Sequence, residues 1–240
     1  MKALVVLPTY NEIENIDRML RMIRAIVPNE HILVVDDGSP DGTAEAADKV
    51  RAELGNIDVL RRVGKGGLGS AYRAGFSWGL ERGFDSFVEI DCDFSHDPRE
   101  LPAMLALASD YEVVIGSRYV PGGSIPSWST SRLLLSKGGN RYASMMLGLG
   151  IADSTAGFRV YRESALKKID YSNVQADGYG FQIEMTYRAR RGGASIVEHP
   201  ISFTDRTEGE SKMSRAIVTE ALWMVSKWGV ARIFGGPRLN

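Results

Sequence analysis

One cysteine, Cys92, and three histidines are all that this 240-residue chain offers for thiol or imidazole chemistry. A single thiol excludes an intrachain disulfide framework and a cysteine-based metal site. No run of 18 or more uninterrupted apolar residues occurs, so no transmembrane segment is expected. Met1-Lys2-Ala3 leads straight into a strand pattern, so no signal peptide is expected either. Charge of one sign is also lacking. The net charge is -1, and nothing global points to nucleic acid. There is no internal repeat, no low-complexity tract and no linker that would divide two independent domains. What is present is ordinary for a soluble globular protein: 44% hydrophobic and 25% charged residues, in a chain long enough for a substantial core. A cytoplasmic location is expected, with contact to a membrane surface left open.

The first half alternates apolar runs with amphipathic stretches. Residues 3–8, Ala-Leu-Val-Val-Leu-Pro, read as a strand covered on both faces, as in a parallel sheet. A helix is predicted over 12–27, with Ile16, Leu20, Ile23 and Val27 on one face. Ile32–Val35 is the second strand, and Asp36-Asp37-Gly38-Ser39-Pro40-Asp41-Gly42 is a turn in which Asp41 caps a helix over 43–54. Strand three spans 57–62. Gly64-Lys65-Gly66-Gly67-Leu68-Gly69 then matches G-x-G-x-x-G before a helix over 70–82. In a dinucleotide fold those glycines follow the first strand, whereas here they follow the third. A flexible loop with close helix packing and an anion site at a helix start both remain readings of it.

Strand four ends in Val88-Glu89-Ile90-Asp91-Cys92-Asp93-Phe94-Ser95-His96-Asp97-Pro98. Side chains alternate along a strand, so Asp91 and Asp93 point the same way. Two adjacent anions repel unless a cation lies between them, and a hard divalent ion takes carboxylate oxygens while keeping room for phosphate. The plainer reading is an acidic helix entry, with Asp97 as cap and Pro98 as first residue. A helix over 98–108 and a strand at Glu112–Ile115 complete a regular β-α repetition. It predicts a doubly wound, mostly parallel α/β sheet through about residue 116.

The pattern then changes. Residues 119–131 are rich in Gly, Ser and Pro and read as a long loop. A helix carries Arg132, Leu133–Leu135, Ser136 and Asn140. Asp153–Arg159 reads as a polar turn, and residues 178–191 as a helix. Ser195–His199 and Ile201–Phe203 are short strands broken by Pro200, as on an antiparallel edge. A charged loop, Thr204–Lys212, precedes a basic amphipathic helix over 213–233. That helix either packs on the domain or lies in a membrane interface.

These motifs in order resemble the polyprenol (dolichol) phosphate mannosyltransferases, family 2 glycosyltransferases with the glycosyltransferase A-type, Rossmann-like fold. The marks are Leu7-Pro-Thr-Tyr-Asn-Glu12, Val35-Asp-Asp-Gly-Ser-Pro-Asp-Gly-Thr43, Gly67-Leu-Gly-Ser-Ala-Tyr72 and Asp91-Cys-Asp-Phe-Ser-His-Asp-Pro98. Gly116-Ser-Arg-Tyr119, Asp153-Ser-Thr-Ala-Gly-Phe-Arg159 and Gly209-Glu-Ser-Lys-Met213 continue them. Cys92 stands where alanine is usual.

The resemblance implies a single glycosyltransferase domain over 1–240. Residues 1–116 form a nucleotide-sugar-binding half, and 117–240 an antiparallel and helical acceptor half. It implies inverting transfer of mannose from GDP-mannose to a polyprenyl or dolichyl monophosphate. UDP-glucose or another nucleotide sugar is the alternative donor. Pro8, Tyr10, Glu12, Val35, Asp37 and Cys92 would line the nucleotide pocket. Asp91 and Asp93, with Ser95, would hold Mg²⁺ or Mn²⁺. Arg118, Arg206 and Lys212 would also contact the nucleotide sugar and act in catalysis, Arg206 and Lys212 by stabilising the diphosphate, and Arg118, Arg132 and Ser136 would bind the acceptor phosphate. An anionic acceptor needs no general base. The expected partners are the sugar nucleotide, the lipid phosphate and either the cytoplasmic face of a membrane or a membrane-anchored protein. Two further readings are a nucleotide-dependent oxidoreductase and a non-catalytic lipid-binding subunit.

Overall fold

The computed structural model describes residues 1–205 and 215–233, with side chains of 215–220 and 233 excepted. In chain order the elements are β1 (Ala3–Thr9), α1 (Ile13–Ile26), β2 (His31–Asp36), α2 (Thr43–Leu54), β3 (Ile57–Arg61), α3 (Leu68–Leu80) and β4 (Ser86–Glu89). They continue with α4 (Leu101–Leu107), β5 (Val113–Ser117), α5 (Thr130–Leu147), β6 (Arg159–Arg162), α6 (Glu163–Ile169), α7 (Gly178–Arg191), β7 (Ile196–Pro200) and α8 (Arg215–Ile233). The strands form one sheet in the order β3-β2-β1-β4-β6-β5-β7. All neighbours are parallel except β6, which runs antiparallel to β4 and β5. The doubly wound, mostly parallel α/β fold is therefore as expected.

The continuous apolar run of β1 has a simple cause. Leu4 and Val6 join a core shared with α3, α5 and α7, while Ala3, Val5 and Leu7 join a second core under α1, α2 and α4. A strand buried on both faces needs apolar residues at every position. On α1 the predicted face of Ile16, Leu20, Ile23 and Val27 is buried, with Met19 beside it.

Three local expectations change. Pro200 does not mark an antiparallel edge: β7 ends on it and pairs in parallel with β5 at the sheet margin, where its missing N–H costs no ladder bond. The antiparallel strand is β6, which starts at Arg159, the last residue of the stretch expected as a turn, and was not expected as a strand. His31 opens β2 and pairs with Asp58 at 2.9 Å. Asp41 sits one residue before the α2 cap, Gly42, which takes a left-handed conformation. Its carboxylate accepts from the Thr43 N–H at 3.0 Å and the Ile13 N–H at 3.1 Å, so it ties two helix starts together. Asp97 does cap as expected, accepting from the Arg99 N–H at 2.9 Å ahead of a 3₁₀ turn over Pro98–Glu100. Arg206 and Lys212 lie outside the described residues.

Candidate active site

Parallel strands in an α/β sheet deliver their carboxyl ends to one edge, where ligands bind. Here β1, β2 and β4 do so and open into a cleft. Pro8, Tyr10, Glu12, Asp37, Asp91, Cys92 and Asp93 line it, together with Thr9, Lys65, Gly67, Leu68 and Ala71. Seven of the expected nucleotide and metal residues thus share one cavity.

Asp37 is buried. It receives the Arg62 guanidinium at 2.7 Å and the Gly66 N–H at 2.9 Å. Asp36, next to it, is spent on the turn, accepting from the Thr9 hydroxyl at 2.9 Å and the Ser39 N–H at 2.9 Å. Glu12 accepts from the Asn15 side chain at 3.0 Å. The Lys65 ammonium lies 4.6 Å from the Tyr10 ring centroid, so the Gly-rich loop places a cation over the ring expected to meet the base. Val35 does not reach the cleft. Its side chain belongs to the core with Tyr72 and Phe76.

At the end of β4, Asp91 accepts a hydrogen bond from the Tyr72 hydroxyl at 3.2 Å. Burial, and then the charge of Asp91, raise the Tyr72 phenol well above its ordinary range, which keeps it a donor. Asp93 is buried and accepts from the Ser95 N–H at 3.0 Å. Cys92 packs in the core between the two, and burial pushes its thiol up, so it is inert. Ser95 turns away from the cleft wall, with its hydroxyl 3.4 Å from His96 Nδ1.

The donor chemistry at Asp91 and Asp93 fits a hard divalent cation. Both offer carboxylate oxygens to one cavity. Among the described residues no three His, Cys, Asp or Glu side chains are grouped as a metal site. Two carboxylates are what Mg²⁺ or Mn²⁺ asks of a protein when phosphate oxygens and water complete the shell.

A second cluster forms beyond β5. Arg118 is buried and donates from Nε and Nη2 to Asp153, both at 2.7 Å, and from Nη2 to Thr155 at 2.8 Å. Burial opposes both charges, but each partner outweighs it. Arg118 is held above its ordinary value and Asp153 below. Arg132, in the first turn of α5, lies 4.0 Å from the Trp128 ring centroid, and Arg118 lies 5.8 Å from the same centroid. Arg118 also approaches the Tyr119 ring at 5.2 Å, and the Tyr119 hydroxyl donates to Ser136 at 2.6 Å. All three expected acceptor-phosphate residues therefore converge.

The Asp153–Gly157 segment joins the cluster to the cleft. Asp153 holds Arg118, and a Cβ placed on Gly157 would lie 3.6 Å from Asp91 Oδ2. Arg159 anchors this segment from inside the core. It donates to the Ser154 and Ala156 carbonyls at 2.8 and 2.7 Å and to Thr186 at 2.7 Å.

Several contributors were not legible in advance. Asp177 accepts from the Gly69 N–H at 2.8 Å at the start of α3, and fits because Gly67 has no side chain: a Cβ there would overlap the carboxylate. Arg62, Tyr72 and Asp153 are likewise partners set by packing. Only Lys65 carried a local signal, as a cation inside a Gly-rich loop at a strand end.

Residues 4–170 match the sequence pattern described as Glycosyl transferase family 2. The chain belongs to that family. It is a glycosyltransferase of the A-type fold, and the oxidoreductase reading of Gly64–Gly69 falls away. It is 50% identical over 238 residues to the undecaprenyl-phosphate mannosyltransferase of Micrococcus luteus, covering 99% of this chain and 98% of that one. It is 49% identical over 231 residues to the polyprenol monophosphomannose synthase of Mycolicibacterium smegmatis, covering 95% and 87%. A solved mannosyltransferase from Pyrobaculum calidifontis in complex with GDP-Man and Mn²⁺ superposes with a TM-score of 0.64. Its identity is 15%, over 99% of this chain and 65% of that one, a likeness of fold.

Proposed function

We propose that this glycosyltransferase transfers mannose from GDP-mannose to a polyprenyl monophosphate, with inversion, giving a β-mannosyl phosphate lipid and GDP. Two relatives at about half identity over nearly their whole lengths carry names for mannose transfer to polyprenyl phosphate. The observation that carries the reading onto this chain is the joined pair of sites. A carboxylate cleft and a guanidinium cluster share the Asp153–Gly157 segment. The single chain thus works as two halves, a nucleotide-sugar half over 1–116 and an acceptor half over 117–240.

In this reading Pro8, Tyr10, Glu12 and Asp37 hold the nucleoside, and Asp91 and Asp93 hold Mg²⁺ or Mn²⁺. A divalent ion held there would supply Lewis-acid stabilisation to the diphosphate. Tyr72 fixes Asp91 by its hydrogen bond, and the Ser95 N–H fixes Asp93. Arg118, Arg132 and Ser136 present cations and a hydroxyl to the acceptor phosphate. That group is already anionic at neutral pH, so no side chain has to remove a proton from it. Arg206 and Lys212 add positive charge toward the leaving diphosphate.

The lipid tail requires a membrane surface nearby. Among the described residues no helix is long and apolar enough to cross a membrane. Exposed Leu134, Leu135 and Met145 on α5 and Leu222, Trp223 and Val230 on α8 offer apolar contact, with Lys137, Arg141 and Lys227 among them. α5 contains no carboxylate, which suits an anionic lipid surface.

The test is an assay of purified protein with GDP-mannose, Mg²⁺ or Mn²⁺ and a short polyprenyl phosphate, beside UDP-glucose and other donors. Mannolipid formation dependent on a divalent ion is expected. Its absence with every ion, or preference for another donor, overturns the reading.

A further inference from the structure

The geometry points to Asp205 as the residue that positions Arg132 for the acceptor phosphate. This rests on the proposed reading of Arg118, Arg132 and Ser136 as the headgroup site. Asp205 contacts Arg132 twice over. Directly, its two oxygens lie 3.2 and 3.3 Å from Arg132 Nη1. Indirectly, it accepts the indole N–H of Trp128 at 2.8 Å, and the Arg132 guanidinium lies 4.0 Å from that ring's centroid. A stacked ring sets the plane of a guanidinium, and a hydrogen bond at one nitrogen sets its rotation within that plane. One carboxylate therefore fixes both. Its own backbone N–H is tied to the Ser127 hydroxyl at 3.2 Å, so the clasp joins the chain after β7 to the loop before α5.

The arrangement complements that of the neighbouring arginine. Asp153 takes Nε and Nη2 of Arg118, so Nη1 is the nitrogen outside the pair. Asp205 takes only Nη1 of Arg132, which keeps the Nε–Nη2 edge outside the pair. That edge is the fork that meets two phosphate oxygens in parallel. Arg132 and Asp205 are 37% and 40% exposed, against 6% and 0% for Arg118 and Asp153, so Arg132 has no packed cage to hold it. A long half-exposed side chain loses rotamer freedom when it binds. Asp205 and Trp128 have already imposed that loss.

Acceptor kinetics of the full chain with three variants test this. Asp205→Ala removes both contacts and is expected to raise KM for a short polyprenyl phosphate about tenfold. Its KM for GDP-mannose should stay within about twofold, and kcat should change little. Asp205→Asn keeps an oxygen for Trp128 and Arg132 and should return the acceptor KM to near wild type. Trp128→Phe keeps the ring without the N–H and should fall between. Calorimetry with ethyl phosphate should rank the variants in the same order without turnover. An acceptor KM that is unchanged or lower in Asp205→Ala overturns the inference, as does an Asn variant as impaired as Ala. Wild-type protein that transfers mannose to no polyprenyl phosphate sinks the underlying reading instead, which is a separate result.

Discussion

The cleft at the ends of β1, β2 and β4 and the cluster beyond β5 adjoin through the Asp153–Gly157 segment and have opposite chemistry. The cleft gathers carboxylates, Asp37, Asp91 and Asp93, on strand ends. The cluster gathers guanidinium groups on a loop and a helix start, and each is paired with a carboxylate from far along the chain. Arg118 and Asp153 are 35 residues apart, and Arg132 and Asp205 are 73 apart. The two pairs also differ from one another. One is sealed inside the protein and the other is half in water. A sealed pair holds its geometry through the cost of breaking it, whereas an open pair is held by orientation alone.

The sharpest way to break this contrast is Asp153→Asn. It leaves the Arg118 charge buried and half-satisfied, and chemical denaturation should show a loss of about 3–5 kcal/mol. A loss under about 1 kcal/mol would erase the distinction between the two pairs. Next comes Asp93→Ala in the cleft. Turnover should fall by at least roughly two to three decades, with divalent-ion binding lost by calorimetry. Retained activity would remove the metal from the cleft's account.

Between the regions lies Glu89 on β4, fully buried, accepting from the Gln182 amide at 2.8 Å. Burial pushes its carboxyl up to about 8. The folded state then holds a proton that the unfolded state releases near pH 4.5. Stability is full below that pH and declines as pH rises toward 8, by up to about 1.4 kcal/mol per unit. Unfolding midpoints across this window should flatten in Glu89→Gln. A slope that survives in the variant assigns the dependence to another group.

A smaller effect is expected of Tyr72→Phe, which removes the hydrogen bond to Asp91. About 1 kcal/mol of positioning, a several-fold fall in kcat, should follow. The smallest stability change belongs to Arg132→Ala, within about 1 kcal/mol. Its mark should be a raised acceptor KM, and a large loss of stability would make it a structural pair like Arg118.

Much of the fold was legible. α2 and α7 begin and end at the residues predicted: Gly42 and Gly55 bracket one, and Asp177 and Gly192 the other. β6 was not legible. Arg-Val-Tyr-Arg is four residues long with a charge at each end, and nothing local says that Arg159 will be buried. Its guanidinium makes hydrogen bonds to carbonyls and hydroxyls, and two of the acceptors, Gln182 and Thr186, arrive only when α7 packs against the strand. Val35, which the family resemblance put in the cleft beside Asp37, is likewise decided by packing. Alternation puts Leu33 and Val35 into one core and Ile32 and Val34 into the other, while Asp37, past the end of β2, reaches the cleft as expected.

The amino-acid sequence by itself determined where the carboxylates would stand. Apolar runs make buried parallel strands, and acids at their carboxyl ends must arrive together at one edge, because parallel strands share a direction. That much is a matter of periodicity and needs only neighbouring residues. Tertiary structure alone decided how the charges are held: Arg62 on Asp37, Tyr72 on Asp91, Asp153 on Arg118, Asp205 on Arg132. These partners lie 19 to 73 residues apart. Hydrogen bonding is short-ranged and directional, so which donor meets which acceptor is set only when the layers have packed.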